Sequence, residues 1–155
     1  MNKTRYEMVP ATLDHAQELA WNMREADRQE VWAAAHYSPR QATFFSLEAS
    51  RDARVGLVDG RVVCMFGVGP AAIVSTTGVP WLLTTDLVKK HAGPFLRRNK
   101  RVVEEMLAAY PFLRNHVDER NTMAIKWLRW LGFEILLAEP FGAEGLPFHP
   151  FEMRA

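Results

Sequence analysis

Two polar residues of the chain have types and positions that could carry chemistry. Asp86 follows Thr84 and Thr85 at the end of an apolar run, and Asn121 opens a later run with helical periodicity. Ligands of open α/β sheets bind beyond the carboxyl ends of the strands, so a carboxylate at position 86 could accept a proton from a substrate. The same carboxylate could instead cap a turn, and the Asn121 side chain could cap a helix. The residues alone leave both interpretations open.

A cluster of positive charge follows Asp86. Between Val88 and Glu104 the sequence has six cationic residues and no acidic one: Lys89, Lys90, Arg97, Arg98, Lys100 and Arg101. Cations beside the start of a helix can hold phosphate groups, because the helix amides also point at the anion. The alternative is a solvated helix face on which Lys100 and Arg101 pair with glutamates four residues later.

Other reactive residue types are scattered along the chain. His116 lies on a predicted strand, where a satisfied or exposed histidine is the simpler interpretation. Cys64 lies within an apolar run and is predicted to be a buried apolar residue rather than a nucleophile. One cysteine excludes an internal disulfide, and the remaining histidines are too dispersed for a metal site, so we predict none.

Hydrophobic periodicity predicts the elements that position these residues. In the first half they are a strand over 5–9, helical structure over 14–35 with a bend near 27–30, a helix over 40–50, and strands over 54–58 and 61–68. Thr12 and Ser38 stand where helices would begin. Asp59-Gly60 predicts a type I′ hairpin turn, because both central residues of that turn have positive φ.

The second half repeats a strand–helix unit. Strands over 81–88 and 112–117 each precede a helix, one from Gly93 to about 110 and one from Asn121 to Gly132, and further strands follow over 133–138 and near 148–153. This order predicts that strands 81–88 and 112–117 are parallel neighbours that splay at their ends. Gly132 stands where a helix ends in a left-handed residue.

The stretch that begins at Asn121 resembles the second cofactor-side motif of the GNAT N-acetyltransferases. Asn121, Ala124, Gly132 and Phe133 fit that motif, while Leu128 stands where the family often has a tyrosine. The predicted order of elements is also similar to the GNAT fold. The resemblance implies one domain over 1–155 of α/β (α+β) class, a GNAT-like acyl-CoA N-acyltransferase fold with a mixed sheet of six to seven strands and about four helices.

The GNAT resemblance also implies a place for acetyl-CoA. The implied cofactor-binding residues are Leu83, Thr84 and Thr85 along the pantetheine arm, Gly93, Phe95, Leu96, Arg97 and Arg98 at the phosphates, and Asn121 at the thioester end. Asp86 and Asn121 are the implied catalytic residues, with Asp86 or a water as the base. The chain departs from the family at the phosphate turn, where it has a single glycine and Pro94 provides no amide donor.

A narrower resemblance is to a phage-encoded GNAT-like family that includes the internal virion protein A type of short-tailed phages. It is carried by segments 80–86, 95–98, 110–111 and 115–133. It implies a viral protein in the host bacterial cytoplasm or the virion. Two functions follow: an acetyl-CoA-dependent N-acetyltransferase acting on an amine of a protein or small molecule, or a catalytically inactive GNAT-fold protein that binds a host or virion protein.

Composition restricts the partners. A net charge of +1 argues against general polyanion binding, and no reader motif accompanies the basic residues, so we expect no nucleic-acid partner. The sequence has no apolar run of about 20 residues, and its first residues lack an apolar signal core. We therefore expect no membrane span and a protein that folds in the cytosol.

Overall fold

A mixed β-sheet with helices on both faces forms the body of the protein. The computed structural model describes residues 3–155, and this range contains eight strands and five helices. In order they are β1 (Tyr6–Pro10), α1 (Leu13–Asn22), α2 (Glu25–Ala35), α3 (Pro39–Ala49), β2 (Asp52–Val58), β3 (Arg61–Pro70), β4 (Thr77–Thr84), α4 (Val88–Ala109), β5 (Phe112–Asp118), α5 (Thr122–Leu131), β6 (Glu134–Ile135), β7 (Glu139–Phe141) and β8 (Leu146–Arg154). The predicted fold class is confirmed, with slightly more strands and helices than the sequence indicated.

The strand order is β1-β2-β3-β4-β5-β8-β6, and β7 pairs with β8 outside this path. The strands β4 and β5 run parallel, whereas the other neighbouring pairs in the described chain are antiparallel. Two residue pairs join β4 to β5, Thr77 with Phe112 and Gly78 with Leu113, and beyond them the strands diverge. This confirms the prediction of a parallel pair that splays.

Gly78 lies at the point where the two strands separate. A Cβ atom at this position would lie 2.7 Å from the ring of Tyr110, which follows the last turn of α4. Tyr110 is buried and packs directly on the strand backbone. Any side chain at position 78 would therefore push α4 away from the junction of β4 and β5.

Local signals in the first half of the chain are confirmed. Thr12 Oγ1 accepts a hydrogen bond from the His15 amide at the start of α1, and Ser38 Oγ accepts one from the Gln41 amide at the start of α3. Asp59 and Gly60 have φ angles of 48° and 80° in the β2–β3 turn. These contacts are local, so short sequence patterns were enough to predict them.

Three predicted boundaries are wrong. The helical stretch 14–35 breaks at Met23 and Arg24 rather than near 27–30, because these residues pair with the end of β4. Strand β4 covers Thr77–Thr84 instead of 81–88, and α4 begins at Val88. A kink at His91, with φ −122° and ψ 23°, separates the first turn of α4 from the segment that the sequence placed after Gly93.

The side-chain cap at Asn121, one of the two interpretations that the sequence left open, does not form. Asn121 precedes α5, and its carbonyl accepts from the Ile125 amide, but its side chain makes no cap hydrogen bond within the described chain. The side chain is buried and turned towards α2 instead. Gly132 does end α5 in the left-handed region, with φ 104°, as predicted.

The core has one apolar layer on each face of the sheet. Helices α4 and α5 cover one layer, which includes Phe95, Val103, Met106, Leu113 and Phe133, and the partly buried Trp127 packs against it. Helices α1 and α3 cover the other layer around Leu19, Val55 and Met65. None of the helices in the described chain has both the length and the apolar character needed to cross a membrane.

Candidate active site at the diverging strands

The divergence of β4 and β5 opens a cavity of about 410 Å³. Asn99 of α4 and Trp127 of α5 line it on one face of the sheet, whereas Glu30 of α2 and Ser46 of α3 line it on the other. The cavity therefore passes through the sheet between the two strands. Such a passage lets two molecules meet from opposite faces.

The backbone of Leu82 faces this cavity. The Thr85 amide donates to Val63 O of β3. Along an antiparallel strand, the backbone groups of successive residues point alternately to one neighbouring strand and to the other. The amides and carbonyls of Leu82 and Thr84 therefore point away from β3, towards the gap. Asn115 donates from across the gap to Pro80 O at 2.8 Å. The pairing of β4 with β5 ends at Gly78, so Leu82 has no strand partner on this side among the described residues. Leu82 thus offers one donor and one acceptor to a ligand.

Asn99 contributes a second unused polar group. It is 9% exposed, lies on the cavity wall of α4, and its Oδ1 has no hydrogen-bond partner among the described residues. Leaving a buried amide oxygen without a donor costs about 1–3 kcal/mol. An N–H group of a ligand in the cavity would remove that cost.

A buried polar network closes the carboxyl ends of β4 and β5; its members are Arg24, Asp27, Glu30, Thr84 and Asn121. Arg24 donates to Thr84 Oγ1 at 2.9 Å, to Asp27 Oδ1 at 3.1 Å and to Asn121 Oδ1 at 2.8 Å. Asp27 also accepts from the Thr84 amide at 2.8 Å, from the Thr84 hydroxyl and from Asn121 Nδ2. Burial raises the pKa of Asp27, and the nearby Arg24 opposes that rise. Both backbone groups of Thr84 are therefore in use, because its amide donates to Asp27 and its carbonyl accepts from the Arg24 amide.

Glu30 lies at the edge of the buried polar network and lines the cavity. Its Oε1 accepts from the Asp118 amide at 2.7 Å, and its Oε2 accepts from Asn121 Nδ2 at 3.4 Å. Burial raises the pKa of Glu30 to about 8, and the negative charges of Asp27 and Asp118 add to the rise. A carboxyl group with a pKa near neutrality can give or take a proton at physiological pH.

The sequence-predicted residues of β4 and its loop occupy three different places. Leu83 and Thr84 line the cavity, but Leu83 and Thr85 direct their backbone groups to β3. Asp86 lies outside the cavity, where its exposed carboxylate is 3.2 Å from Lys89 Nζ. The carboxyl groups that line the cavity are therefore those of Asp27 and Glu30, and not that of Asp86.

The predicted phosphate residues surround the kink in α4. A Cβ on Gly93 would lie 3.6 Å from Nη1 of Arg97, so this guanidinium covers the start of the second helical segment, and Arg98 is exposed beside it. Phe95 is buried in the core against Gly56 instead. Leu96 is the fifth residue after the kink, so its amide is used within the helix. An anion at this place would meet Gly93, Arg97 and Arg98.

The unused hydrogen-bonding groups of this chain fit an acyl-CoA arm in part. The two amides of a pantetheine arm match the backbone of Leu82 and the Oδ1 atom of Asn99, both of which face the cavity. The first turn after the kink, together with Arg97 and Arg98, suits its phosphates. Thr84 does not fit, because the buried polar network already holds its backbone. No group of metal-ligating side chains occurs within residues 3–155.

Four residues of the site were not predicted from the sequence: Arg24, Asp27, Glu30 and Asn99. A signal for two of them was present: Asp27, Glu30, Val31 and Ala34 share one helix face by their spacing. Two acidic residues on an otherwise apolar face indicate a buried partner or a site. The run of polar residues over 27–30 was interpreted as a bend instead.

Comparison with solved structures identifies the class of fold. The chain is similar to yncA from Salmonella typhimurium, solved with its cofactor acetyl-CoA (TM-score 0.73, 12% identity, covering 97% of this chain and 94% of that one). It is also similar to a ribosomal-protein-alanine N-acetyltransferase from Brucella melitensis (0.70, 15%, 96% and 99%) and to a GCN5-related N-acetyltransferase from Kribbella flavida (0.69, 14%, 97% and 98%). No protein-family model and no curated protein matches the sequence. The chain has the fold of the GNAT acetyltransferases.

Proposed function

We propose that the protein is an acyl-CoA-dependent N-acyltransferase that uses acetyl-CoA and acts on a primary amine. The observation that carries this proposal is the cavity that crosses the sheet between β4 and β5. On one face it presents the unused polar groups of Leu82 and Asn99, and on the other it presents the carboxyl group of Glu30. A donor and an acceptor can therefore approach each other through the sheet.

Residues on the α4 side would hold acetyl-CoA, which supplies a thioester whose acyl carbon is open to attack by an amine. Leu82 and Asn99 would orient its arm, and Arg97 and Arg98 would neutralise its phosphates. Because the phosphate turn lacks a glycine-rich cradle, these two arginines have a larger share of the binding than in a GNAT enzyme with the full motif.

Glu30 is the proposed base. An amine approaches as an ammonium ion and reacts as the free amine, so one proton must pass from its nitrogen to a carboxylate. The free amine would then attack the thioester carbon, and as the carbon–sulfur bond breaks its second proton would pass to the departing sulfur, so that coenzyme A leaves as the thiol. Asn121 is a positioning residue in this scheme, since its Nδ2 donates to both Asp27 and Glu30 and fixes the glutamate in place.

A GNAT-fold protein that binds a partner without turnover is the second candidate. The hydrogen bonds of Thr84 with Asp27 and Arg24 favour it, because the strand edge is then closed to a pantetheine arm at Thr84. The single glycine at the phosphate turn favours it as well.

The resemblance to phage-encoded GNAT-like proteins supports the remaining part of the proposal. The protein is then viral and resides in the host bacterial cytoplasm or in the virion. Under the second candidate function its partner is a host or virion protein.

Titration of the purified protein with acetyl-CoA by calorimetry separates the two functions. Acetyl-CoA is expected to bind, and a thiol-detecting assay is expected to show coenzyme A release when an amine is added. Glu30→Gln should retain binding and lose most of the release, whereas Glu25→Gln, an exposed change on the same helix, should retain both. If millimolar acetyl-CoA gives no binding, the enzyme proposal fails and the partner-binding function remains.

A further inference from the structure

The half of the cavity that faces α2 and α3 has aromatic walls. We call it the aromatic chamber and define it by Glu30, Trp81, His116, Phe141 and Phe148, all of which line the cavity. The rings of His116 and Phe141 stack with a centroid distance of 3.8 Å and an interplanar angle of 5°. Phe141 also meets Phe148 edge to face at 5.2 Å. These contacts give the chamber rigid, flat surfaces.

The opposite wall of the aromatic chamber is also fixed. The Trp81 indole donates from Nε1 to Ser50 Oγ at 2.6 Å, which holds the ring in one orientation. Its partly buried ring lies on the strand β4, whereas His116 lies on β5. The gap between the diverging strands is thus bordered by an aromatic residue on each side.

Among the described residues that line the aromatic chamber, only the Glu30 carboxyl group has acceptor sites left for a ligand. Asp27 also lines the cavity, but Arg24, Asn121 and Thr84 occupy its two oxygens. Glu30 accepts one amide on each oxygen, and carboxylate oxygens have further acceptor sites. The chamber can therefore compensate one positive charge and not two.

The chemistry of the ligand follows from these walls and this charge. We propose that the acceptor substrate is a small monoamine that carries its ammonium group at Glu30 and an aromatic or similarly sized apolar body between Trp81 and the His116–Phe141 pair. This inference rests on the proposed function and names its substrate class. Aromatic faces favour both an apolar body and an adjacent cation.

Hydrophilic amines and polyamines fit the aromatic chamber less well. A second ammonium group of a polyamine would lie against apolar walls, which is costly in a desolvated site, because the nearby Glu139 carboxylate is already engaged 3.4 Å from His116 Nε2. Burial lowers the pKa of His116, so this ring is a neutral wall near pH 7 and does not repel the ammonium group. The cavity volume of about 410 Å³ also has to accommodate the donor arm, so the acceptor is small.

The test measures amine binding to the full chain without acetyl-CoA, by calorimetry at about pH 8. The probes are phenethylamine, its neutral analogue phenylethanol, ethanolamine and spermidine. Phenethylamine is expected to bind at least about tenfold more tightly than each of the other three. Glu30→Gln should remove this preference over phenylethanol, and Phe141→Leu should weaken the two phenyl ligands but not ethanolamine or spermidine, whereas the exposed Glu25→Gln should change nothing. Thermal unfolding confirms that each variant is folded.

The pH dependence provides an independent readout. Two ion pairs surround Glu30. One joins Arg24 to Asp27 within the buried polar network, and the other joins Arg120 to Asp118 at the end of β5. Phenethylamine affinity should rise between about pH 7 and 9 as Glu30 ionises, and Glu30→Gln should abolish this rise.

The outcomes distinguish this proposal from the proposed function. Equal or tighter binding of spermidine, ethanolamine or phenylethanol overturns the aromatic monoamine, and so does the absence of phenethylamine binding at millimolar concentration. A peptide N-terminus that outcompetes phenethylamine overturns it as well. If phenethylamine binds as expected while acetyl-CoA does not, the chamber is assigned correctly and the acyltransferase function is wrong.

Discussion

Arg24 Nη2 donates a hydrogen bond of 2.8 Å to Asn121 Oδ1, although the two residues are 97 positions apart in the chain. The same guanidinium reaches Thr84 at the end of β4, so it connects the carboxyl end of β4 to the turn between β5 and α5. No backbone pairing joins these strand ends in the described chain, because β4 and β5 pair only at their beginnings. The buried polar network takes the place of the absent ladder.

Arg24→Met should therefore destabilise the protein strongly. The change leaves the carboxylate of Asp27 buried without its counter-charge, and breaking a buried ion pair from one side costs about 3–5 kcal/mol. Chemical denaturation measures the loss in the free energy of unfolding. Arg129→Met, an exposed arginine of α5, is the matched control and should change it little. Adding Asp27→Asn to Arg24→Met should restore part of the loss; a double variant less stable than the single one would contradict this account.

Glu30 should make stability decrease with rising pH. Its pKa is raised from 4.5 to about 8 in the folded protein, so folding favours the protonated form. The stabilisation is complete below the unfolded pKa and is lost as the pH rises towards the folded value. Between about pH 5 and 9, the free energy of unfolding of the wild type should fall more than that of Glu30→Gln. Parallel pH profiles for the two proteins would show that Glu30 ionises normally.

Asn99→Leu should act on stability and on binding in opposite directions. It removes a buried oxygen that lacks a donor, so the ligand-free protein should gain about 1 kcal/mol in unfolding free energy. The same change removes an acceptor for the pantetheine arm and should weaken acetyl-CoA binding by about tenfold. Thermal unfolding and calorimetry measure the two effects. A variant that melts lower than the wild type would indicate that Oδ1 already has a partner, such as an ordered water.

Reversing the charge of Arg97 and Arg98 to glutamate should weaken acetyl-CoA binding by about ten- to a hundredfold, because phosphate groups would meet repulsion at the kink of α4. The same change should weaken the binding of dephospho-coenzyme A less, because this ligand lacks the 3′-phosphate. The effect should shrink at high salt, since exposed charges are screened beyond about 10 Å at 0.1 M.

The control for this pair is a glutamate double variant at Arg40 and Arg51, two exposed arginines remote in sequence that make the same change in net charge. It should bind acetyl-CoA like the wild type. If both double variants bind acetyl-CoA equally weakly, the effect comes from overall charge. If the change at Arg97 and Arg98 does not weaken binding, the phosphates lie elsewhere.

Local sequence patterns were sufficient for much of the fold. The turn at Asp59 and Gly60 and the end of α5 at Gly132 depend on residues within a few positions, and both were predicted. The parallel placement of β4 and β5 was predicted from the order of elements, which restricts crossover connections. Each of these features is set by neighbours along the chain or by topology.

The site was harder to predict because its contacts are distant in sequence. Asp27 accepts from Thr84 and Asn121, which lie 57 and 94 positions away, so a polar run in α2 looked like a solvent-exposed bend. The Asn121 side chain could have capped α5 by its position in the sequence, but it bonds within the same network instead. A pattern of residue types does not show which distant group will compensate a buried charge.

The two-pair junction of β4 and β5 also determines how the protein responds to mechanical load. Strand β1 belongs to the half of the sheet that ends with β4, whereas β8 belongs to the half that begins with β5. A force applied between the two ends of the chain must therefore cross this junction. Most other neighbouring strands share longer ladders, so extension should begin with the separation of the two halves, each of which keeps its own hydrogen bonds.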